Sequence, residues 1–200
     1  HQATVYLGLF FVFASRLNPL CFLFSFAIGM LIFLYSFTKR YTHFCHFILA
    51  MIHFSAPLCA FVAMTEFIAL PPFFLSFAVL FIIAADDIIY SCQDVEFDTN
   101  EGLYSMPSSF GVKTSLRLSK ILHFLSLICL IGFALTAHLS CAFYVGIFLC
   151  GIMLFLAHLR LKTKSHIGAA LNDVFVLSNT LSGAIVLVFL VGELIWRVSS

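Results

Sequence analysis

Residues 70–101 read LPPFFLSFAVLFIIAADDIIYSCQDVEFDTNE. Sixteen uncharged residues, Leu70–Ala85, run straight into Asp86 and Asp87, and four more carboxylates appear by Glu101. The whole chain of 200 residues holds nine Asp and Glu, so two thirds of its acid sits in this one place. Ionised carboxylates at the end of an apolar helix are costly to keep, and such a concentration points to a task beyond solubility.

The apolar run is one of several. The chain is 62% hydrophobic and 10% charged, with a mean hydropathy of +1.12, which excludes a water-soluble globule. Backbone in hydrocarbon must bond to itself, so the runs are expected to be helices. Seven spans are read, at about 3–15, 19–36, 43–63, 70–91, 115–137, 141–159 and 168–195, the first short and the last long. The expected fold is therefore an all-α polytopic membrane protein, one domain over 1–200, with breaks at Asn18-Pro19, Pro71-Pro72, Gly102 and Pro107.

Charge sets the expected orientation. Lys39, Arg40, Lys113, Arg117, Lys120, Arg160, Lys162 and Lys164 fall on one side of the seven spans, and only Arg16 and Arg197 on the other. The positive-inside rule places the eight-cation side, which also carries the acidic stretch, in the cytoplasm. A net charge of +1 and the lack of a basic, aromatic-rich patch argue against a nucleic-acid partner. The seven cysteines are scattered, show no CxxC spacing and read as small apolar packing residues.

Two constellations carry possible chemistry. On one continuous helix, offsets of 7 and 11 residues place Asp94 and Asp98 within about 20° of Asp87, an acidic stripe running out of the membrane. Asp94 and Asp98, spaced DxxxD, would share a hard cation. Magnesium suits such a site because it accepts one or two carboxylates, keeps several waters and bridges to phosphates. The second constellation is Tyr35-Ser36-Phe37-Thr38-Lys39-Arg40, where Tyr35 and Lys39 share a helical face and Lys39 with Arg40 would grip a diphosphate. His43, His46 and His53 share a face but read as satisfied interhelical residues, and Asn172 and Asn179 as interior hydrogen-bonding amides.

These segments resemble the UbiA superfamily of intramembrane prenyltransferases, closest in look to members of the 4-hydroxybenzoate polyprenyltransferase type. Leu34 to Arg40 is similar to the family's YxxxK segment, and Asp87 to Asp98 to its second aspartate-rich motif. Glu101-Gly102-Leu103-Tyr104-Ser105-Met106-Pro107 and Phe110-Gly111 are similar to the family's segment just C-terminal to that motif. The family's first aspartate-rich motif, NDxxDxxxD, has no counterpart here. Seven spans and an opening His1 in place of Met then suggest a nine-helix bundle lacking its first two helices.

The resemblance implies Mg2+-dependent transfer of a polyprenyl group from its diphosphate to an aromatic acid in quinone biosynthesis, at a bacterial inner membrane with the active site facing the cytoplasm. Asp94, Asp98, Lys39 and Tyr35 would be catalytic, with Asp94 and Asp98 holding the metal and Arg40 and Asp87 binding substrate. The acceptor would be 4-hydroxybenzoate or, in the alternative, a dihydroxynaphthoate of menaquinone synthesis. A cation-coupled transporter is the rival class, and predicts its key acids, Asp87 and Asp173, at mid-membrane. A purely structural subunit leaves the acidic stretch without a role.

Overall fold

The computed structural model describes residues 2–163, 171 and 173–199; His1, Lys164 and Asn172 lie outside the described residues. In chain order the helices are α1 Gln2–Leu17, α2 Pro19–Thr38, α3 Cys45–Thr65, α4 Leu70–Ser91, α5 Val95–Asn100, α6 Met106–Phe110, α7 Val112–Thr136, α8 Cys141–Thr163 and α9 Asp173–Ser199. Among the described residues six helices, α2, α3, α4, α7, α8 and α9, are long and apolar enough to cross a membrane, and α1 is a shorter apolar helix. The protein is an integral membrane protein, and the seven expected spans correspond to these seven helices.

The breaks obey local chemistry. Asn18 caps α2 by accepting from Cys21 N–H at 2.8 Å, Pro19 opens the helix, and the Asn18 amide donates to Val62 O of α3 at 2.9 Å. Pro71 and Pro72 open α4, where a missing N–H costs nothing. Glu66 ends α3 in the left-handed region (φ 62°).

Helix α4 is the centre of the bundle, packed against α3, α7 and α9. Ala84 and Ala85, fully buried, let α7 approach closely and enclose Ile88 and Leu122 with Ala50 of α3. A second cluster, with Leu130, Phe133, Phe143 and Cys150, joins α7 to α8. A Cβ on Gly132 of α7 would come within 2.6 Å of the Phe74 ring, so only glycine admits that ring. Large apolar side chains such as Phe13, Phe33, Phe124, Phe148 and Trp196 point outward, as lipid-facing residues do. All seven cysteines are unpaired thiols.

One expectation is corrected here. The acidic stretch is not a continuous helical stripe, because α4 stops at Ser91. Three short-range bonds, Cys92 N–H to Ile89 O, Gln93 N–H to Tyr90 O and Asp94 N–H to Ser91 O, tighten the chain into a turn. Ser91 Oγ and Cys92 Sγ both bond Ile88 O, offering that carbonyl an alternative to a further helical turn. The chain restarts as α5 with Asp94 at its N-terminal boundary, and Gly102, at φ +63°, turns it away.

Candidate active site

The turn after α4 brings together residues that the linear chain separates widely. A cavity of about 340 Å³ at the basic end of the bundle is lined by Tyr35, Ser36, Lys39, Cys45, His46, Asp87, Tyr90, Ser91 and Asp94. An adjoining cavity of about 390 Å³ shares Asp87 and Tyr90 and reaches Leu49, His53, Ile83, Asp86, Phe175 and Asn179. Together they form a polar mouth above a more apolar interior between α3, α4 and α9.

Lys39 sits just past the last turn of α2 and is fixed from two directions. Its carbonyl accepts from Tyr104 N–H at 2.7 Å, which ties the loop after α5 to the end of α2. Its ammonium meets both oxygens of Asp98 at 3.0 and 3.2 Å. Asp98 is wholly buried, whereas the Lys39 side chain is 41% exposed and lines the cavity. Burial alone would lower the Lys39 pKa, but the hydrogen bond and charge of Asp98, with Asp94 adding, outweigh it and raise the pKa. The cation therefore stays charged at every physiological pH.

Asp87 on α4 is bound to α3. His46 Nδ1 lies 2.6 Å from Asp87 Oδ2, and His46 Nε2 accepts from Met106 N–H at 3.3 Å. Because Nε2 is an acceptor, the hydrogen-bond pattern assigns the ring proton to Nδ1, which donates it to Asp87. His46, 1% exposed, thus joins α3, α4 and the start of α6. The α6 end of that join is rigid: Ser105 and Ser108 form a reciprocal capping box with Pro107 between them.

The site residues read from sequence divide clearly. Tyr35, Lys39, Asp87 and Asp94 line one cavity. Asp98 is withdrawn beneath it on Lys39, and Arg40 lies outside it. His46, Tyr90 and Ser91 also line the cavity and carry no site signal in the sequence; His46 is 41 residues from Asp87, and no local spacing joins them. Asp173 has an interaction of its own, and Asn179 lines the deeper cavity.

No group of three or more His, Cys, Asp or Glu among the described residues is arranged to close around a metal ion. Burial pushes the Cys92 thiol up to about 12, and its Sγ donates to Ile88 O rather than lining the cavity. What the cavity offers is hard carboxylate oxygen beside an ammonium. That donor chemistry fits a cation held jointly with a phosphate ligand, not one caged by protein alone.

A model of the UbiA prenyltransferase family matches residues 2–180. No curated relative matches the chain. Among solved structures, the apo structure of a UbiA homolog from Aeropyrum pernix K1 superposes with a TM-score of 0.83 at 23% identity, covering 96% of this chain and 70% of that one. That likeness concerns the fold. With the family model covering nearly the whole length, this chain belongs to the UbiA prenyltransferase family.

Proposed function

We propose that the protein transfers a polyprenyl group from its diphosphate to an aromatic acid of the 4-hydroxybenzoate kind in quinone biosynthesis, with Mg2+. The site would open to the cytoplasm at a bacterial inner membrane. The observation that supports this most is the single cavity shared by Lys39, Tyr35, Asp87 and Asp94, polar at its mouth and continuous with apolar walls.

In this reading Asp94 and Asp98 would hold Mg2+, which when bound would offset the charge that develops on the departing diphosphate. Lys39 would turn from Asp98 to the diphosphate as it enters, exchanging one anionic partner for another. Tyr35 would donate to a phosphate oxygen from the same helical face, and Asp87, held by His46, would orient the acceptor. Arg40 would meet the diphosphate from the rim. The apolar interior would keep water from an allylic cation until the electron-rich ring captures it. These 200 residues supply one aspartate cluster, so on their own they are expected to be inactive.

The test is prenylation of labelled 4-hydroxybenzoate by membranes carrying the complete protein. Product that disappears with EDTA and in Asp94→Ala supports the proposal. Turnover only with a dihydroxynaphthoate moves it to the menaquinone branch. Silence with both acceptors refutes it and returns attention to cation-coupled transport. Detectable transfer by these 200 residues, abolished by Asp94→Ala, would refute the inactivity expectation alone.

A further inference from the structure

Helices α7 and α8 pack through their inner faces, where Phe133 and Phe143 meet edge-on with ring centroids 5.8 Å apart. Between their outer faces they leave two overlapping hollows of about 590 and 280 Å³, which share Phe124, Leu127, Gly151 and Phe155. Gly151 keeps the middle open, since an added Cβ there would make only an ordinary 3.5 Å contact with Leu127 Cδ1. The result is one continuous groove on the outside of the bundle, with Ile131 toward one end and Lys120 at the other.

The α7 face that forms this groove changes character along its length. At 100° per residue Lys113, Arg117, Lys120, Phe124, Leu127 and Ile131 fall within about 80° of one another. Three cations come first, and only apolar side chains follow. The cations are exposed, and none makes a hydrogen bond or ion pair among the described residues. Lys120 stands at the head of the groove beside His123 and His158. Those two rings are turned inward: His123 Nδ1 lies 3.0 Å from His158 Nε2, and His123 Nε2 lies 3.3 Å from Asp86 Oδ1. Lys120 is therefore the charge that the groove presents. From Lys120 to Ile131 the helix rises about 16 Å, and half of a bilayer's hydrocarbon core is roughly 15 Å. Cations at a span end are ordinary anchors, but basic pockets between membrane helices hold anionic lipid headgroups.

We propose that this groove is a binding site for one anionic phospholipid of the leaflet at the basic end. The lipid phosphate meets Lys120, with Arg117 and Lys113 successively nearer the water, and one acyl chain lies along Phe124, Leu127 and Phe155. Charge and length both suit this occupant. A second copy of the chain, related by a twofold axis along the membrane normal, would set three cations against three. The site is separate from the reaction proposed above and stands without it. A bound lipid fills the gap between α7 and α8 and stabilises the folded protein by mass action.

The test takes the complete protein in an uncharged detergent, with dioleoyl phosphatidylglycerol or dioleoyl phosphatidylcholine added back. Native mass spectrometry is expected to show one phosphatidylglycerol retained per chain and no phosphatidylcholine, and only the former should raise Tm. Combining Lys113→Gln, Arg117→Gln and Lys120→Gln lowers the affinity for phosphatidylglycerol about 10²-fold, at roughly 5-fold for each cation near a membrane surface. Gly151→Leu keeps every charge, plugs the groove and abolishes retention, which binding to a diffuse basic surface would survive. Each variant decides the question separately, so a fold lost in one leaves the other. Equal retention of both lipids makes the groove a place for ordinary bilayer lipid and overturns the proposal. So does phosphatidylglycerol that stays bound in Gly151→Leu, or a lipid-free dimer that this substitution dissociates. Binding of a polyprenyl diphosphate that phosphatidylglycerol fails to displace would give the groove to an isoprenoid chain and overturn it equally.

Discussion

The two ends of the bundle each carry a cation–carboxylate pair, and they are built to opposite purposes. At the far end Glu193 of α9 accepts from Arg197 Nε at 2.9 Å and from Ser140 N–H and Oγ, while Arg197 also donates to Ala137 O and His138 O. Every strong donor there is spent on closing the short turn between α7 and α8. At the basic end Lys39 meets Asp98 but remains partly exposed to a cavity, and Asp94 stands in its wall with no ion pair among the described residues. A satisfied cluster is a clasp. A cluster with charge left facing a cavity is prepared for a ligand.

Substitution can break that contrast, and the largest effect should come from Lys39→Met. Turnover of the complete enzyme is expected to fall about 10²- to 10³-fold, the usual consequence of losing one fixed charge at a reacting centre. Stability should drop by about 2 kcal/mol, less than for a sealed pair because water reaches the lysine side, as chemical denaturation in detergent would show. Retained turnover would mean that the two ends are alike after all.

His46→Phe comes next. It strands the Met106 N–H and frees Asp87, costing about 2 kcal/mol. If Asp87 orients the acceptor, the KM for the aromatic acid rises more than that for the prenyl diphosphate. Glu193→Gln should show the reverse pattern of Lys39→Met, a lower Tm with turnover unchanged. The smallest effect is expected from Arg40→Gln, a rim site where stability moves by less than about 0.5 kcal/mol. There the KM for the prenyl diphosphate should rise with kcat constant, the mark of binding that is equal in ground and transition states.

How much of this is legible in the chain differs by length scale. The apolar runs, the prolines that open α2 and α4 and the side holding the cations all come from local composition. The start of α4 is readable to within a residue, because Pro71-Pro72 speaks plainly. Its end is harder, because helical spacing carries Asp87, Asp94 and Asp98 smoothly past Ser91, and no proline or glycine marks the turn. At the point where it ends, Ser91 and Cys92 compete for the Ile88 carbonyl, a local side-chain effect that periodicity does not register.

Pairings are less legible still. Lys39 and Asp98 are 59 residues apart, and His123 and His158 are 35 apart on neighbouring helices. A signal for the second pair does exist. Two histidines and an aspartate lie inside three apolar spans that reach the same membrane face, and depth rather than spacing is the coordinate to compare.

A last consequence lies in the wide turn of α9. Residues Val176–Leu181 are π-helical, so this stretch holds more chain per turn than the helix on either side. The same helix must present Ser178 to Asp86 near one membrane face and Glu193 to Ser140 near the other. Each residue of α-helix advances the azimuth by about 100°, so two docking points on one rod seldom fall in phase by chance. The π turn works as a phase adjuster, absorbing the angular error between two fixed attachments. Removing one residue from it would restore an ordinary helix that can keep either attachment but not both, and cysteine crosslinks placed at each end would report which one survives.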